Sequence, residues 1–160
     1  MEKQRSPSRD QTEALRLTAF LPYRLSVLSN TISETIADTY RREHDLSVPQ
    51  WRVMAVVHGA PGLSAKGVSI RTAMDKVAVS RAVSKLIDQG RLERGGSPTD
   101  GRLSALYLTT DGEAVYAAVA PQAQAFEEKL MAEFSEEERA LLSLLLGKLA
   151  GAVSPEKPLW

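Results

Sequence analysis

A chain of 160 residues, 43% apolar and 25% charged, has the composition of one ordinary globular domain, which argues against global disorder and leaves no room for a second full-sized domain. There is no cysteine, and this removes disulfides, thiolate nucleophiles and cysteine-based redox switching. The formal net charge of zero conceals a dipole by segment: residues 50–110 carry nine Lys/Arg against four Asp/Glu, residues 111–160 four against nine. A basic module inside a neutral protein is what local phosphate contact requires.

No apolar run approaches the roughly 20 residues of a membrane span, and the polar N-terminus lacks the apolar core of a signal peptide. A cytoplasmic protein without membrane contact is therefore expected. Residues 1–11 read as a polar tail. Within 12–45 a helix is predicted from about Tyr23 to Glu43, with Pro22 near its first turn and an apolar stripe of Leu25, Leu28, Ile32 and Ile36. Leu46-Ser47-Val48-Pro49-Gln50-Trp51 then offers a Ser cap, Gln three residues on, proline in the first turn and a Leu46–Trp51 staple. The helix it opens should run from about Val48 to His58 and stop at Gly59 and Pro61.

Leu63-Ser64 predicts a second, short helix ending near Ala73. Met74-Asp75 opens a third, capped by Asp75 and running to Gly90. Its apolar stripe is Val79, Val83 and Leu86, joined by Ala82 and Ile87. Its other face is Lys76, Ser80, Arg81, Ser84, Lys85 and Asp88, where short hydroxyls beside long cations allow close approach to a duplex. Arg91–Gly95 and Ser104–Thr109 read as two short strands around a loop bent by Gly95, Gly96, Pro98, Asp100 and Gly101. Thr110-Asp111-Gly112-Glu113 predicts a capping box and a helix to about Ala132, which Pro121 should kink or split. Ser135-Glu136-Glu137-Glu138 predicts another box, heading a helix with Leu142, Leu145, Leu146 and Leu149 on one stripe. Residues 154–160 read as a second tail. The terminal helices are too apolar to stand alone, and they should pack on each other, on the basic module or on a second copy.

A capped basic helix followed by a hairpin with an arginine near its tip is how a winged helix-turn-helix meets DNA: the helix fills a major groove about 12 Å wide, and the ribbon sets a cation over the neighbouring minor groove. The predicted fold is mainly α with a small β-hairpin wing. A winged helix-turn-helix lobe over 46–110 lies between an N-terminal helix region at 12–45 and C-terminal helices at 111–153. Arg81 is the candidate for base contact, since arginine bidentate to guanine is the commonest specific pairing; a phosphate contact or an ion pair with Asp88 is the alternative. Lys76, Ser80, Ser84 and Lys85 are candidates for phosphate, and Ser64 and Arg94 complete the set in the lobe. Asp100 and Arg102, two apart in the wing, let a carboxylate hold a guanidinium in place, or form a mere surface pair. Tyr23 and Trp51 are candidates for a ligand cleft, with core packing as the alternative.

The order of these parts resembles the MarR-type winged-helix transcription regulators. Its motifs are Asp75-Lys76 with Val79-Ser80-Arg81, Val83 and Leu86; Gly90 to Arg94; Asp100-x-Arg102; and Leu108-Thr109-x-x-Gly112. Leu21-Pro22-Tyr23-Arg24-Leu25 and Gln50-Trp51-Arg52-Val53 add to it, and the resemblance spans roughly residues 15–150. It implies a homodimer joined by its N- and C-terminal helices, double-stranded DNA as partner, and a small aromatic or phenolic ligand between the dimer helices and the DNA-binding lobe. One departure is Gly67, where the family usually carries the glutamate that would complete a capping box with Ser64; glycine there adds a helix penalty of roughly 1 kcal/mol. No Ser/His/Asp set, phosphate loop or dinucleotide fingerprint supports an enzyme. His44 and His58 lack metal-ligand spacing, so neither metal nor cofactor is expected. The function expected is a ligand-responsive repressor on a pseudo-palindromic operator, the alternative being a winged-helix scaffold that binds a protein or small molecule without reading DNA.

Overall fold

A computed structural model of the chain describes residues 15–96 and 104–154. The order is α1 (Leu21–His44), α2 (Val48–Gly59), β1 (Leu63–Ser64), α3 (Ala65–Thr72), α4 (Lys76–Asp88), β2 (Leu92–Gly96), β3 (Ser104–Leu108), α5 (Thr110–Met131) and α6 (Glu136–Val153), after one 3-10 turn at Leu17–Ala19. Two compact units divide between Ser33 and Glu34, inside α1. In the first, α1 starts with Pro22 in its first turn, where the missing N–H breaks no helix bond. Leu21, Tyr23, Leu25 and Leu28 are exposed there.

The second unit holds the core. From the end of α1 come Ala37 and Tyr40, both fully buried, and burial pushes the Tyr40 phenol up to about 12. α2 starts with the expected box: the Ser47 hydroxyl accepts from the Gln50 amide at 3.4 Å, and Gln50 Oε1 accepts from the Ser47 amide at 3.0 Å. Leu46, Val53, Met54 and Val57 then join Val68, Val79, Val83, Leu86, Leu92, Leu106 and Val119 in one cluster.

Among the described residues three strands form, where the sequence predicts two. Leu63 and Ser64 pair antiparallel with Leu106 and Ala105, giving the sheet order β1-β3-β2. The extended backbone that Ser64 needs as helix cap is the backbone that pairs, so one residue serves both elements. β2 and β3 register Leu92 with Leu108 and Gly96 with Ser104. At α3 the Ser64 hydroxyl accepts from the Gly67 amide at 3.1 Å, so half of the capping box survives. A Cβ on Gly67 would lie 3.1 Å from Leu63 Cδ2, and the glycine thereby leaves Leu63 room beside the helix start.

One further expectation fails in α5. The cap is Thr109, one residue early: its hydroxyl accepts from the Gly112 amide at 3.1 Å and donates to the Gly90 carbonyl at 2.6 Å. No box with Glu113 forms, because that carboxylate faces His58 Nδ1 at 2.8 Å. Pro121 does not split the helix, which runs unbroken from Thr110 to Met131. The carbonyl that Pro121 leaves without a donor belongs to Ala117, an exposed residue, where water can take the missing bond. α6 has its full box between Ser135 and Glu138 and buries none of its residues.

Gln50 is a buried polar residue, 5% exposed. Its Nε2 donates to Gln89 Oε1 at 2.9 Å, and Gln89 Nε2 donates to the carbonyl and carboxylate of Asp45 at 3.2 and 3.1 Å. This amide relay ties the α1–α2 corner to the C-terminal end of α4. Gln89→Ala strands the Gln50 amide without a partner and should destabilise the protein by about 1 to 3 kcal/mol, read by urea denaturation. An unchanged midpoint would show that water replaces Gln89 at no cost.

Candidate nucleic-acid interface

α4 forms where the sequence places it because its first turn is capped twice. One Asp75 oxygen accepts from the Val77 and Ala78 amides, each at 2.9 Å, and the carboxylate also meets the positive end of the helix dipole. Its exit is equally defined. Gly90 takes a left-handed φ of +69°, and the Arg91 amide returns to the Leu86 carbonyl at 2.9 Å, a Schellman closure. Between these ends Val79, Ala82, Val83 and Leu86 are buried. The helix is thus fixed in rotation by its core side and in length by both caps.

The opposite side is open. Lys76, Ser80, Arg81, Ser84 and Lys85 are all exposed, and among the described residues none of these side chains forms a hydrogen bond or ion pair. The Arg81–Asp88 ion pair does not form. Arg81 and Lys85 also line a recess of about 310 Å³ with Ser47, Pro49 and Gln50 from the start of α2. The Arg81 guanidinium, the Lys85 ammonium and the positive end of the α2 dipole there share one sign of field. Val77 stands on the same open side, 58% exposed; residue type alone had given no reason to place it there.

The other candidates are distributed as follows. Ser64 is half-buried, and its oxygen already accepts the α3 cap bond. Arg94 is exposed on β2 and already has an interaction of its own. Asp100 and Arg102 lie outside the described residues. Arg91 is different from the other cations, since its Nη1 is buried without a partner. Trp51 is half-buried in an aromatic row, stacked on Tyr116 at 5.5 Å and tilted against Tyr40 at 5.8 Å. Tyr116 in turn stacks on His58 at 3.7 Å. The His58–Glu113 pair thus ties the end of α2 to the start of α5, a link between residues 55 apart that no local motif announces. Tyr23 lies in the first unit, in an apolar groove of about 550 Å³ along the start of α1, beside Arg24, Leu21 and Leu25. Among the described residues no cluster of His, Asp or Glu could hold a metal, and no helix is long and apolar enough to cross a membrane.

Short helix, turn, uncommitted basic helix and β-ribbon, in this order on a shared core, define a winged helix-turn-helix. Residues 44–103 match the model of the MarR family. The transcriptional regulator HosA of Escherichia coli O111:H- is 27% identical over 117 residues, 71% of this chain and 87% of that protein. The crystal structure of a MarR/EmrR family transcriptional regulator from Acinetobacter sp. ADP1 superposes with a TM-score of 0.79 at 28% identity, covering 88% of this chain and 99% of that one. A mutant MarR from Escherichia coli, complexed with operator DNA, shares the fold at a TM-score of 0.71 and 23% identity, over 85% and 99% of the two chains. Fold and matched segment together make the chain similar to the MarR-type winged-helix regulators.

Proposed function

We propose that the chain is a sequence-specific DNA-binding repressor that acts in the cytoplasm as a homodimer on a pseudo-palindromic operator and responds to a small ligand. One observation carries this: the side of α4 opposite its core presents two hydroxyls and three cations with no partner among the described residues. Cations left unpaired beside short side chains suit a phosphate backbone and the edges of bases. The operator-bound relative of the same fold supports the same direction. Two such helices related by a dimer axis meet successive major grooves about 34 Å apart, or about 10 base pairs centre to centre.

The ligand part rests on the α1 groove, whose volume lies within the range of small-molecule sites and whose lining joins an aromatic ring, Tyr23, to a cation, Arg24. That chemistry suits an aromatic anion. Trp51 is engaged in its aromatic row, which leaves Tyr23 as the stronger ligand candidate.

Selection of binding sites from random DNA tests the proposal. The parent protein should select a symmetric site with a guanine opposite Arg81 in each half. Arg81→Ala should lose that one preference at a cost of about 1 to 3 kcal/mol per half-site. Weakening that is uniform over all sequences would assign Arg81 to phosphate, and failure to select any symmetric site would reject the operator.

A further inference from the structure

Among the described residues of 46–110, Ile70 and Val77 are the large apolar side chains left exposed. An isolated surface valine is ordinary in itself; the position of Val77 is not. Val79, Ala82, Val83 and Leu86 mark the buried side of α4. Val77 lies on the opposite side, in line with Ser80, Arg81 and Ser84 three, four and seven residues on. It is an apolar side chain set among the cations and hydroxyls that this face offers to a duplex, and it stands at the second residue of the helix, where recognition helices touch base edges.

We propose that Val77 is a specificity-determining residue that reads the C5-methyl group of a thymine in the major groove. This rests on the DNA-reading function proposed above. The thymine methyl is the one apolar group on the floor of that groove, so an apolar side chain there has a single complementary target among the four bases. Valine suits the task because a β-branched side chain in a helix keeps one strongly preferred rotamer. Its backbone is fixed too, since its own amide donates to the Asp75 cap at 2.9 Å. Little freedom remains to be lost on contact. Lys76 and Arg81, before it and one turn after it, would hold the helix close enough for the two apolar groups to exclude water.

Deoxyuridine removes only the methyl group of thymidine, so it isolates this contact. On an operator selected from random DNA, each thymine in turn is replaced by uracil and the affinities of parent and Val77→Ala are measured. At one position in each half-site the parent should lose about four-fold in affinity, the worth of one buried methyl. Val77→Ala should bind the thymine and uracil operators equally at that position and keep every other preference. The substitution removes no core contact, and an unchanged circular dichroism spectrum verifies the fold. A parent indifferent to every methyl, or a Val77→Ala protein with undiminished discrimination, overturns the assignment while leaving DNA reading intact. Failure of the parent to select any site overturns the DNA-reading function, and the assignment with it.

Discussion

Gly112→Ala should destabilise the winged-helix lobe by about 3 kcal/mol or more, the upper range for overpacking a close-packed site. A Cβ at this position would lie 2.0 Å from the Arg91 carbonyl oxygen, 3.0 Å from the carbon of that carbonyl and 3.3 Å from Leu108 Cβ. The obstacle is backbone, so no rotamer change relieves it. The carbonyl cannot simply move, because it accepts from the Thr109 amide at 3.2 Å. Displacing the start of α5 instead would break the Thr109 cap and its bond to Gly90. For a chain of this size each kcal/mol shifts the melting temperature by roughly 2 to 4 °C, so a fall of about 6 to 12 °C or more is expected. Gly59, the last residue of α2, has nothing within 4 Å of its would-be Cβ, and Gly59→Ala should stay within about 0.5 kcal/mol of the parent. Equal melting of the two variants would show that α5 shifts off Arg91 at no cost.

The same corner shows what a sequence can and cannot disclose. Gly112 belonged to a recognisable Leu108-Thr109-x-x-Gly112 run, yet its reason is a carbonyl 21 residues earlier. Adjacent threonines made the cap ambiguous by one position, and only the reach of the Thr109 hydroxyl to Gly90 decides it. Local grammar places Glu113 in a box that His58, far away in the chain, prevents. α4 was legible almost to the residue because an aspartate cap, an apolar period near 3.6 and a glycine exit all agree. β1 was not, since two residues carry no period and their pairing is set by β3, some 40 positions away. Val77 escaped for a different cause. Valine by type counts as core, and burial, a property of the fold, is what places it outside. The wing residues Asp100 and Arg102 stay expectations, outside the described residues.

Leu145→Glu should convert the proposed dimer to a monomer and lower affinity for the proposed operator by about 10² to 10⁴, the gain that linking two binding heads supplies. Six leucines of α6 (Leu141, Leu142, Leu144, Leu145, Leu146 and Leu149) are exposed, and the helix buries no residue in its own chain. Full burial of a leucine is worth about 1.5 to 3 kcal/mol, so such a helix has far more to gain from a partner than from water. Its first turn carries Glu136, Glu137 and Glu138, which keeps that end solvated and confines the apolar demand to the stretch that follows. In a two-fold interface one substitution acts twice, placing two carboxylates where leucines should meet. The same change removes nothing from the core of the subunit, so the monomer should retain the helical circular dichroism of the parent. That separates dissociation from unfolding. Light scattering at micromolar concentration and an operator titration read the two expected effects together. A parent already monomeric would reject the dimer, and with it the spacing of the operator. A Leu145→Glu protein that stays dimeric would move the interface away from α6, leaving the exposed leucines of α1, Leu21, Leu25 and Leu28, as the next surface to test.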